Sequence, residues 1–207
     1  MTLSLSFPRK LLIATTNPKK RGEMQTILAS TDLDLELLTL QDFPAASEVE
    51  ETGETFFENS HLKARAGLQL SGLVTIADDG GFCVDALGGS PGVKSHRFLG
   101  ENTSFEVKMT KILEMMEDVS DEERTCRFQS AVVIALPDGR TFECLGICEG
   151  RVAHEMRGDY GFGYDPIFLF PGTGKHMAEL LPEDKHKVSH RGKALSCATK
   201  HLREIFG

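Results

Sequence analysis

The stretch Lys10-Leu-Leu-Ile-Ala-Thr-Thr-Asn-Pro-Lys-Lys20 carries the first signal of the fold. Its apolar start is short and ends in polar residues, which is typical of a buried strand. Residues 19–30 then place Met24, Ile27 and Leu28 on one face of a helix. A buried strand followed directly by an amphipathic helix favours an α/β fold.

The same alternation of strand and helix patterns continues along the chain. The predicted strands cover residues 33–40, 73–77, 125–136 and 141–148, and the predicted helices begin at the capping boxes Thr55-Phe-Phe-Glu58 and Thr103-Ser-Phe-Glu106 and at Ser189. Pro137-Asp-Gly-Arg140 is a turn sequence, so the last two strands form a hairpin. Asp78-Asp79-Gly80-Gly81 is expected to be a turn where the strand 73–77 ends. We therefore expect an α/β fold with a mixed central sheet flanked by helices.

Composition and charge exclude several classes of protein. The chain has 207 residues, 40% of them hydrophobic and 26% charged, which suits one globular domain or two small lobes. A net charge of −8 argues against a surface that coats nucleic acid. No apolar run approaches the roughly 20 residues of a membrane span, and Met1–Lys10 has no signal-peptide pattern. We expect a cytoplasmic protein.

The five cysteines are expected to be reduced. They are Cys83, Cys126, Cys144, Cys148 and Cys197, an odd number without CxxC spacing. The closest pair, Cys144 and Cys148, shares one face of a predicted strand, which favours two small buried side chains over a metal clip.

The strand-to-helix junction Thr15–Lys20 is the first candidate site. Such a junction presents backbone N–H groups and the positive end of the helix dipole, which suits a phosphate. Thr15, Asn17 and Lys20 would add side-chain donors. Because the segment lacks the GxxxxGK[ST] loop, a plain turn with a surface lysine stays open as the alternative.

Two pairs of carboxylates form the second candidate. Glu50-Glu51 lies in an acidic loop, and Asp78-Asp79 follows a strand. Mg²⁺ is commonly held by one or two carboxylates together with substrate phosphates. Neighbours on an extended chain point to opposite faces, so one Asp would meet the metal and the other brace the turn. Solvated turn residues are the alternative.

Two further segments complete the candidates. Gly161-Phe-Gly-Tyr-Asp165 is an aromatic loop with flexible glycines, which suits either base stacking or anchoring to the core. Lys185 and Ser189-His-Arg191 place cations near a helix N-terminus, where the dipole disfavours them. An anionic or carbonyl-rich ligand would explain that placement.

In combination and order, these segments resemble the inosine/xanthosine triphosphate pyrophosphatase family. The matching segments are Ala14–Lys20 with Glu23, Glu50–Gly53 with Phe56–Asn59 and Lys63–Arg65, Ala77–Gly81 with Gly88–Gly92 and Arg97, Gly161–Phe168, and Ser189–Arg191. They span nearly the whole chain, from about Leu11 to Leu195.

The resemblance implies a fold and a reaction. Residues 1–207 would form a single domain of two lobes, with a mixed sheet and the site in the cleft between the lobes. The reaction would be Mg²⁺-assisted hydrolysis of ITP, dITP and XTP to the monophosphate and pyrophosphate, which removes these nucleotides from the pool. The expected partner is the small-molecule nucleotide, with neither nucleic acid nor membrane, and the protein would be a homodimer.

The resemblance also assigns roles to single residues. The triphosphate would be bound by Thr15, Thr16, Asn17, Pro18, Lys19 and Lys20, with Lys20 as the main cation. Metal ligands would be Glu50 and Asp79, with Glu51 as a helper, and Asp79 would also orient water at the α-phosphorus, close to Lys63 and Asp78. The base pocket would consist of Phe162, Gly163, Tyr164, Asp165, Lys185, His190 and Arg191.

Base choice follows from hydrogen-bonding capacity. Lys185 and Arg191 can only donate, which suits the 6-oxo group of hypoxanthine or xanthine and leaves them facing a second donor in adenine. A buried unpaired donor costs about 1–3 kcal/mol.

Two positions depart from the family pattern. Gly80 stands where the family usually has Ser, so that only its backbone N–H remains for phosphate, and Lys94 stands where an aromatic residue is common. We expect both departures to alter affinity more than reaction type.

Two other functions are weighed against this one. A nucleotide-binding regulatory protein that has lost turnover is disfavoured because Lys20, Glu50 and Asp79 are all retained. A pyrophosphatase acting on modified pyrimidines is disfavoured by Ser189-His-Arg191.

Overall fold

A computed structural model describes residues 7–171 and 173–207. Most of the segment in which we sought a signal peptide, residues 1–6, lies outside that part. The α-helices are α1 (Pro18–Ala29), α2 (Phe56–Ser71), α3 (Phe105–Met115), α4 (Pro182–Val188) and α5 (His190–Phe206). The strands are β1 (Lys10–Ile13), β2 (Glu36–Thr39), β3 (Val74–Val84), β4 (Thr125–Ala135), β5 (Thr141–Val152) and β6 (Phe168–Leu169). No helix among the described residues is both long and apolar enough to cross a membrane.

The six strands form a mixed sheet in the order β2-β1-β3-β4-β5-β6. Strand β1 pairs in parallel with both β2 and β3, whereas β5 and β6 are antiparallel. The turn between β4 and β5 is closed by a hydrogen bond of 3.0 Å from Leu136 N to Arg140 O. The α/β class, the mixed sheet and the predicted hairpin are confirmed.

The chain divides into two compact units. The first unit contains the chain up to Asp79, Ala131–Leu145 and Lys193–Gly207, and the second contains Gly80–Ser130 and Gly146–Gly192. Each has its own hydrophobic core. The first is aliphatic, including Leu11, Ile76 and Ile134, and the second is rich in aromatic rings, including Phe82, Phe128 and Phe168.

One prediction about strand β3 is wrong. We expected Asp78–Gly81 to form a turn, but β3 continues through these residues to Val84. Both aspartates are buried, with exposures of 0% for Asp78 and 4% for Asp79. Gly80 is a strand residue that lies close to the neighbouring strand β4. A Cβ at Gly80 would collide with the backbone oxygen of Gln129 and lie 3.1 Å from Ser130 Cα. In this chain, β4 therefore approaches too closely to leave room for a Cβ at position 80.

Adding a side chain at Gly80 is expected to destabilise the protein. Gly80→Ala or Gly80→Ser should lower the free energy of unfolding by about 1–3 kcal/mol, because overpacking against a strand backbone is costly. Gly22 is the matched control, since a Cβ there meets nothing within 4 Å and Gly22→Ala in α1 should add about 0.4–1 kcal/mol. Urea unfolding measures all three. A Gly80→Ala variant as stable as the parent chain would contradict the assigned close approach.

Other boundaries differ from the predictions in detail. The N-cap of α3 is Ser104, whose hydroxyl accepts from Val107 N, rather than the predicted Thr103. Ser189 accepts from Gly192 N at the start of α5, as predicted. Helix α4 was not predicted, because its seven residues carry no apolar stripe.

The cysteine prediction is wrong for one pair. Cys144 and Cys197 form a disulfide, although they are 53 residues apart in the chain. Cys83, Cys126 and Cys148 are free thiols, as expected. Sequence spacing could not reveal the pair because packing of α5 against β5 brings Cys197 to Cys144.

Candidate active site

The junction between β1 and α1 is held by Asn17. Its side-chain oxygen accepts from the backbone N–H groups of Lys19 at 3.0 Å and Lys20 at 3.1 Å. Pro18 occupies the first helical position, where no N–H is needed. Two of the amides that we expected to be open to a phosphate are thus already capped. The cap fixes where Lys20 leaves the helix.

Lys20 faces the acidic pair of β3. Its Nζ lies 3.3 Å from Asp78 Oδ2 and 3.7 Å from Asp79 Oδ1. The lysine side chain is only 14% exposed. The structure therefore brings the predicted phosphate cation and the predicted catalytic carboxylates together within the first unit.

Lys63 on α2 is the second cation at this site. Its Nζ donates to Asp79 Oδ1 and to Glu51 Oε1, both at 2.9 Å. Burial alone would lower the pKa of Lys63, but the carboxylates of Asp79, Glu51 and Asp78 outweigh it and raise that pKa. Lys63 therefore stays protonated, and it ties the acidic loop to β3.

Asn59 is a site residue to which the sequence analysis gave no role. It is fully buried, and its Nδ2 donates to Asp79 Oδ2 at 3.2 Å. Its Oδ1 accepts from Gly53 N at 2.8 Å. Both carboxylate oxygens of Asp79 are thus engaged, one by Lys63 and the other by Asn59. The Asn in the motif Phe56-Phe-Glu-Asn59 was the available signal.

The two acids of the loop are placed differently. Glu51 pairs with Lys63, as described above, whereas the side chain of Glu50 is exposed and forms no ion pair within the described residues. The helper assigned by resemblance, Glu51, is therefore the acid that is linked to Asp79 through Lys63.

The donor set of this site fits a hard divalent cation. Asp78, Asp79 and Glu51 supply carboxylate oxygens, which Mg²⁺ prefers. Three acids facing two lysines leave a formal charge of −1, and the ammonium groups stand where positive charge is favoured. The residues present are therefore chemically suited to a metal ion together with an anionic ligand.

A buried ion pair organises the aromatic loop of the second unit. Lys185 Nζ lies 2.7 Å from Asp165 Oδ2, with side-chain exposures of 4% and 3%. The same oxygen accepts from Phe162 N at 2.8 Å. A Cβ at Gly161, which has a φ of +79°, would collide with that oxygen. The loop is therefore folded tightly around the carboxylate of Asp165.

Phe162 is flanked by two cations. Lys185 Nζ lies 4.9 Å from the centroid of its ring, and the Arg191 guanidinium carbon lies 5.7 Å from it. His190, next to Arg191, stacks on Phe128 at a centroid distance of 4.8 Å. The half-buried Phe162 ring thus combines a flat apolar surface with nearby donors, a combination that suits a heterocyclic base.

Tyr164 has a structural position instead. It is 2% exposed, its ring stacks on Phe82 at 5.2 Å, and its hydroxyl donates to Ser95 O at 2.9 Å. Burial raises the pKa of this phenol, so that it stays a donor. Of the two predicted uses of the aromatic loop, Phe162 suits stacking and Tyr164 anchors the loop to the core.

Comparison with known proteins now adds to this geometry. A model of the Ham1 family matches residues 11–201. The chain belongs to the Ham1 family. Two relatives are named dITP/XTP pyrophosphatase. The protein from Geobacillus kaustophilus is 43% identical over 199 residues, which cover 96% of this chain and 97% of that protein. The protein from Geobacter sulfurreducens is 44% identical over 193 residues, which cover 93% of this chain and 96% of that protein.

Solved structures agree with the family assignment. A HAM1 protein from Coxiella burnetii matches with a TM-score of 0.85 and 37% identity, covering 94% of this chain and 98% of that chain. A structure described as a nucleoside-triphosphatase / dITP/XTP pyrophosphatase from Mycobacterium abscessus matches with a TM-score of 0.73 and 40% identity, covering 91% and 98%. The resemblance identified from the sequence and its implied fold class are confirmed.

The two departures from the Ham1-family pattern have different settings. Gly80 lies against the backbone of β4, which leaves no room for a Cβ. Lys94 is exposed at the end of a short 3₁₀ turn, Gly92–Lys94. The next residue, Ser95, is buried and its hydroxyl accepts from Phe82 N at 2.8 Å. Because Lys94 itself is exposed, a lysine in place of an aromatic residue leaves no polar group buried at position 94.

Proposed function

We propose that this chain hydrolyses non-canonical purine nucleoside triphosphates, namely ITP, dITP and XTP, to the monophosphate and pyrophosphate. The observation that carries the proposal is the placement of Asp79, a buried carboxylate held by Lys63 and Asn59 with Lys20 nearby. The names of the relatives, dITP/XTP pyrophosphatase, support the same activity. The physiological role that follows is removal of these nucleotides from the pool.

The first unit supplies the residues that act on the triphosphate. The ammonium of Lys20 pairs with phosphate oxygens, and the capped junction Thr15–Lys19 holds it in place. Phosphoryl transfer depends mainly on positioning and on neutralising oxygen charge, so a rigid cation serves it well. We assign Lys63 a second task, which is to keep Asp79 oriented through the 2.9 Å contact with its Oδ1.

Asp79 accepts the proton of the attacking water. A carboxylate with fixed orientation can align water in line with the α-phosphorus and take up the proton as the bond to the pyrophosphate oxygen breaks. Asp79, with Glu50 or Glu51, would hold the ion; when bound, Mg²⁺ would neutralise phosphate oxygens and favour deprotonation of water. Asp78, fully buried beside Lys20, balances the charge of that lysine in the free protein.

The second unit supplies the residues that select the base. Phe162 offers the stacking surface, and Lys185 and Arg191 offer donors to a 6-oxo group. Asp165 already accepts from Lys185, and this bond aims the ammonium. Adenine would present its amino group to these donors and leave one of them unpaired, at a cost of about 1–3 kcal/mol, or roughly 5- to 150-fold in selectivity. Gly163, with a φ of +71°, allows the chain to turn between Phe162 and the buried Tyr164.

Mg²⁺ as the metal, a homodimer and a cytoplasmic location complete the proposal. The resemblance supports the metal and the homodimer, and the oxygen donors of the first unit also support the metal. Activity restored to chelator-treated protein by Mg²⁺ but not by Ca²⁺ would support the first. Light scattering at working concentration would give the mass of the assembly.

The experiment that tests the function is pyrophosphate release from ITP, dITP, XTP, GTP and ATP at equal concentration, with Mg²⁺ and with a chelator. We expect release from the first three only, dependent on the metal. Nucleotide binding without release from any substrate would favour the regulatory alternative. Preference for modified pyrimidine triphosphates would favour the alternative of a pyrophosphatase that acts on modified pyrimidines.

Asn59 offers a test of how Asp79 is held. Asn59→Asp puts a second carboxylate at the 3.2 Å contact with Asp79 Oδ2. Two carboxylates so close share a proton, so the acidic limb of the pH profile of kcat/KM should move to higher pH. Asn59→Ala removes a donor to the carboxylate without adding charge, so it should lower kcat and move that limb in the same direction but by less than the aspartate does. Identical pH profiles for the aspartate and alanine variants would contradict this assignment.

A further inference from the structure

Three potential metal ligands meet in the first unit, apart from the residues assigned above. Cys144 lies on β5, and Cys197 and His201 lie on α5. Spacing of i and i+4 places Cys197 and His201 one turn apart on one face of the helix, and that face meets Cys144. The two sulfurs and a ring nitrogen of His201 all lie within 4.8 Å of one another.

The ring of His201 is held by packing, and one of its nitrogens could bind a ligand. Its ring stacks on Phe142 at a centroid distance of 4.6 Å. Its Nδ1 is buried and has no hydrogen-bond partner among the described residues. The carboxylate oxygen Glu204 Oε2 lies 3.6 Å from this same Nδ1, beyond hydrogen-bond distance. A buried ring nitrogen without a partner is costly, and a ligand that accepts its lone pair would remove that cost.

We propose that the reduced chain binds one Zn²⁺ through Cys144, Cys197 and His201. Two thiolates and an imidazole form a set that zinc prefers, whereas the all-oxygen set around Asp79 suits a hard cation. Water or the carboxylate of Glu204, 3.6 Å from His201 Nδ1, would supply the fourth ligand. The two sites therefore differ in the metal that they select.

The disulfide is the oxidised, zinc-free state of the same residues. When zinc binds, the two thiols lose two protons to solvent and both sulfurs become thiolate ligands. When a low-molecular-weight disulfide oxidises the site, the two thiolates give up two electrons and form the S–S bond. The oxidant becomes two thiolates, which take up two protons from solvent, and the zinc ion is released.

The site joins two elements that are far apart in the chain. Cys144 is 2% exposed and belongs to the core of the first unit, and Cys197 packs against that core. Zinc would link α5 to β5 in the reduced protein, as the disulfide does in the oxidised one. Either state should therefore resist thermal unfolding better than the reduced protein without zinc.

The test is metal binding by the reduced, full-length chain. We expect the protein to take one Zn²⁺ per chain from a chromophoric chelator, and Co²⁺ to give the near-ultraviolet absorption of a cobalt–thiolate bond. Cys197→Ser should abolish that absorption, and His201→Gln should weaken Zn²⁺ binding at least tenfold. The controls are His154→Gln, an exposed histidine, and Cys83→Ser, a thiol outside the cluster. Both should bind zinc as the parent chain does.

Several outcomes would overturn the proposal. One is zinc binding that is unchanged by Cys197→Ser, which would mark adventitious binding. Others are the absence of a cobalt–thiolate band from the reduced parent chain and stoichiometric zinc binding by the oxidised chain. The zinc-free melting temperature of each variant shows whether it is folded. The conservative His201→Gln variant, which keeps the size of the side chain, leaves the test valid if Cys197→Ser unfolds.

Discussion

Asp79→Asn is expected to lower kcat for ITP by about 10²–10⁴-fold, the range for loss of a general base, while nucleotide binding persists. The substitution keeps the shape of the side chain but removes its charge and its ability to take a proton. It also turns an amide N–H₂ toward either Lys63 or Asn59, both of which donate to Asp79 in the parent chain. Steady-state pyrophosphate release gives kcat, and calorimetric titration with a non-hydrolysable ITP analogue gives the affinity.

Asp32→Asn is the matched control for that result. Asp32 pairs with Arg203 and is exposed, so its variant should keep the parental kcat. If Asp79→Asn retains more than a tenth of the parental kcat, Asp79 does not accept the proton, and the assignment of the first unit is wrong.

The second large effect concerns base selection. Lys185→Met should reduce kcat/KM for ITP by roughly 100-fold and leave kcat/KM for ATP nearly unchanged, since it removes a donor that suits a 6-oxo group and opposes a 6-amino group. The ratio of the two values should therefore collapse. Parallel progress curves with ITP and ATP measure it.

Stability must be separated from selectivity in that experiment. Removing Lys185 takes away the ammonium that lies 2.7 Å from the buried Asp165, and breaking a buried ion pair costs about 3–5 kcal/mol. The double variant Lys185→Met with Asp165→Asn removes the charge as well and should regain much of that stability. It should not regain selectivity. Restored preference for ITP in the double variant would show that Lys185 acts through folding alone.

The sequence predicted the parts of the fold that depend on local patterns. The apolar run before Thr15 and the helix face of Met24, Ile27 and Leu28 identified β1 and α1. Met24 and Leu28 are buried, and Ile27 is partly buried against the same core. The Thr55 capping box is present at the start of α2. These features depend on a few neighbouring residues, so a single sequence reveals them.

The failures arose where distant residues decide the structure. Asp78–Gly81 has the composition of a turn, yet these residues continue strand β3 beside β4, where the backbone of Gln129 lies against Gly80. The disulfide joins residues 53 positions apart, and no spacing rule predicts it. Such contacts depend on how α5 and β4 pack, which propensity and periodicity do not describe.

The site shows the same division. Types of residue predicted the chemistry, because Lys20 and the acids of β3 suit phosphate and metal wherever they lie. The support of Asp79 by Asn59 could not be inferred, since a buried amide with two partners is recognisable only once both partners are placed.

Hydrolysis of ITP in ¹⁸O-labelled water tests the central claim most directly. Mass spectrometry of the products gives both the bond that is cleaved and the phosphorus that is attacked. We predict IMP and pyrophosphate as the only products, with one ¹⁸O in the phosphate of IMP and none in the pyrophosphate. IDP with orthophosphate, or ¹⁸O in the pyrophosphate, would contradict attack of water at the α-phosphorus and with it the role assigned to Asp79.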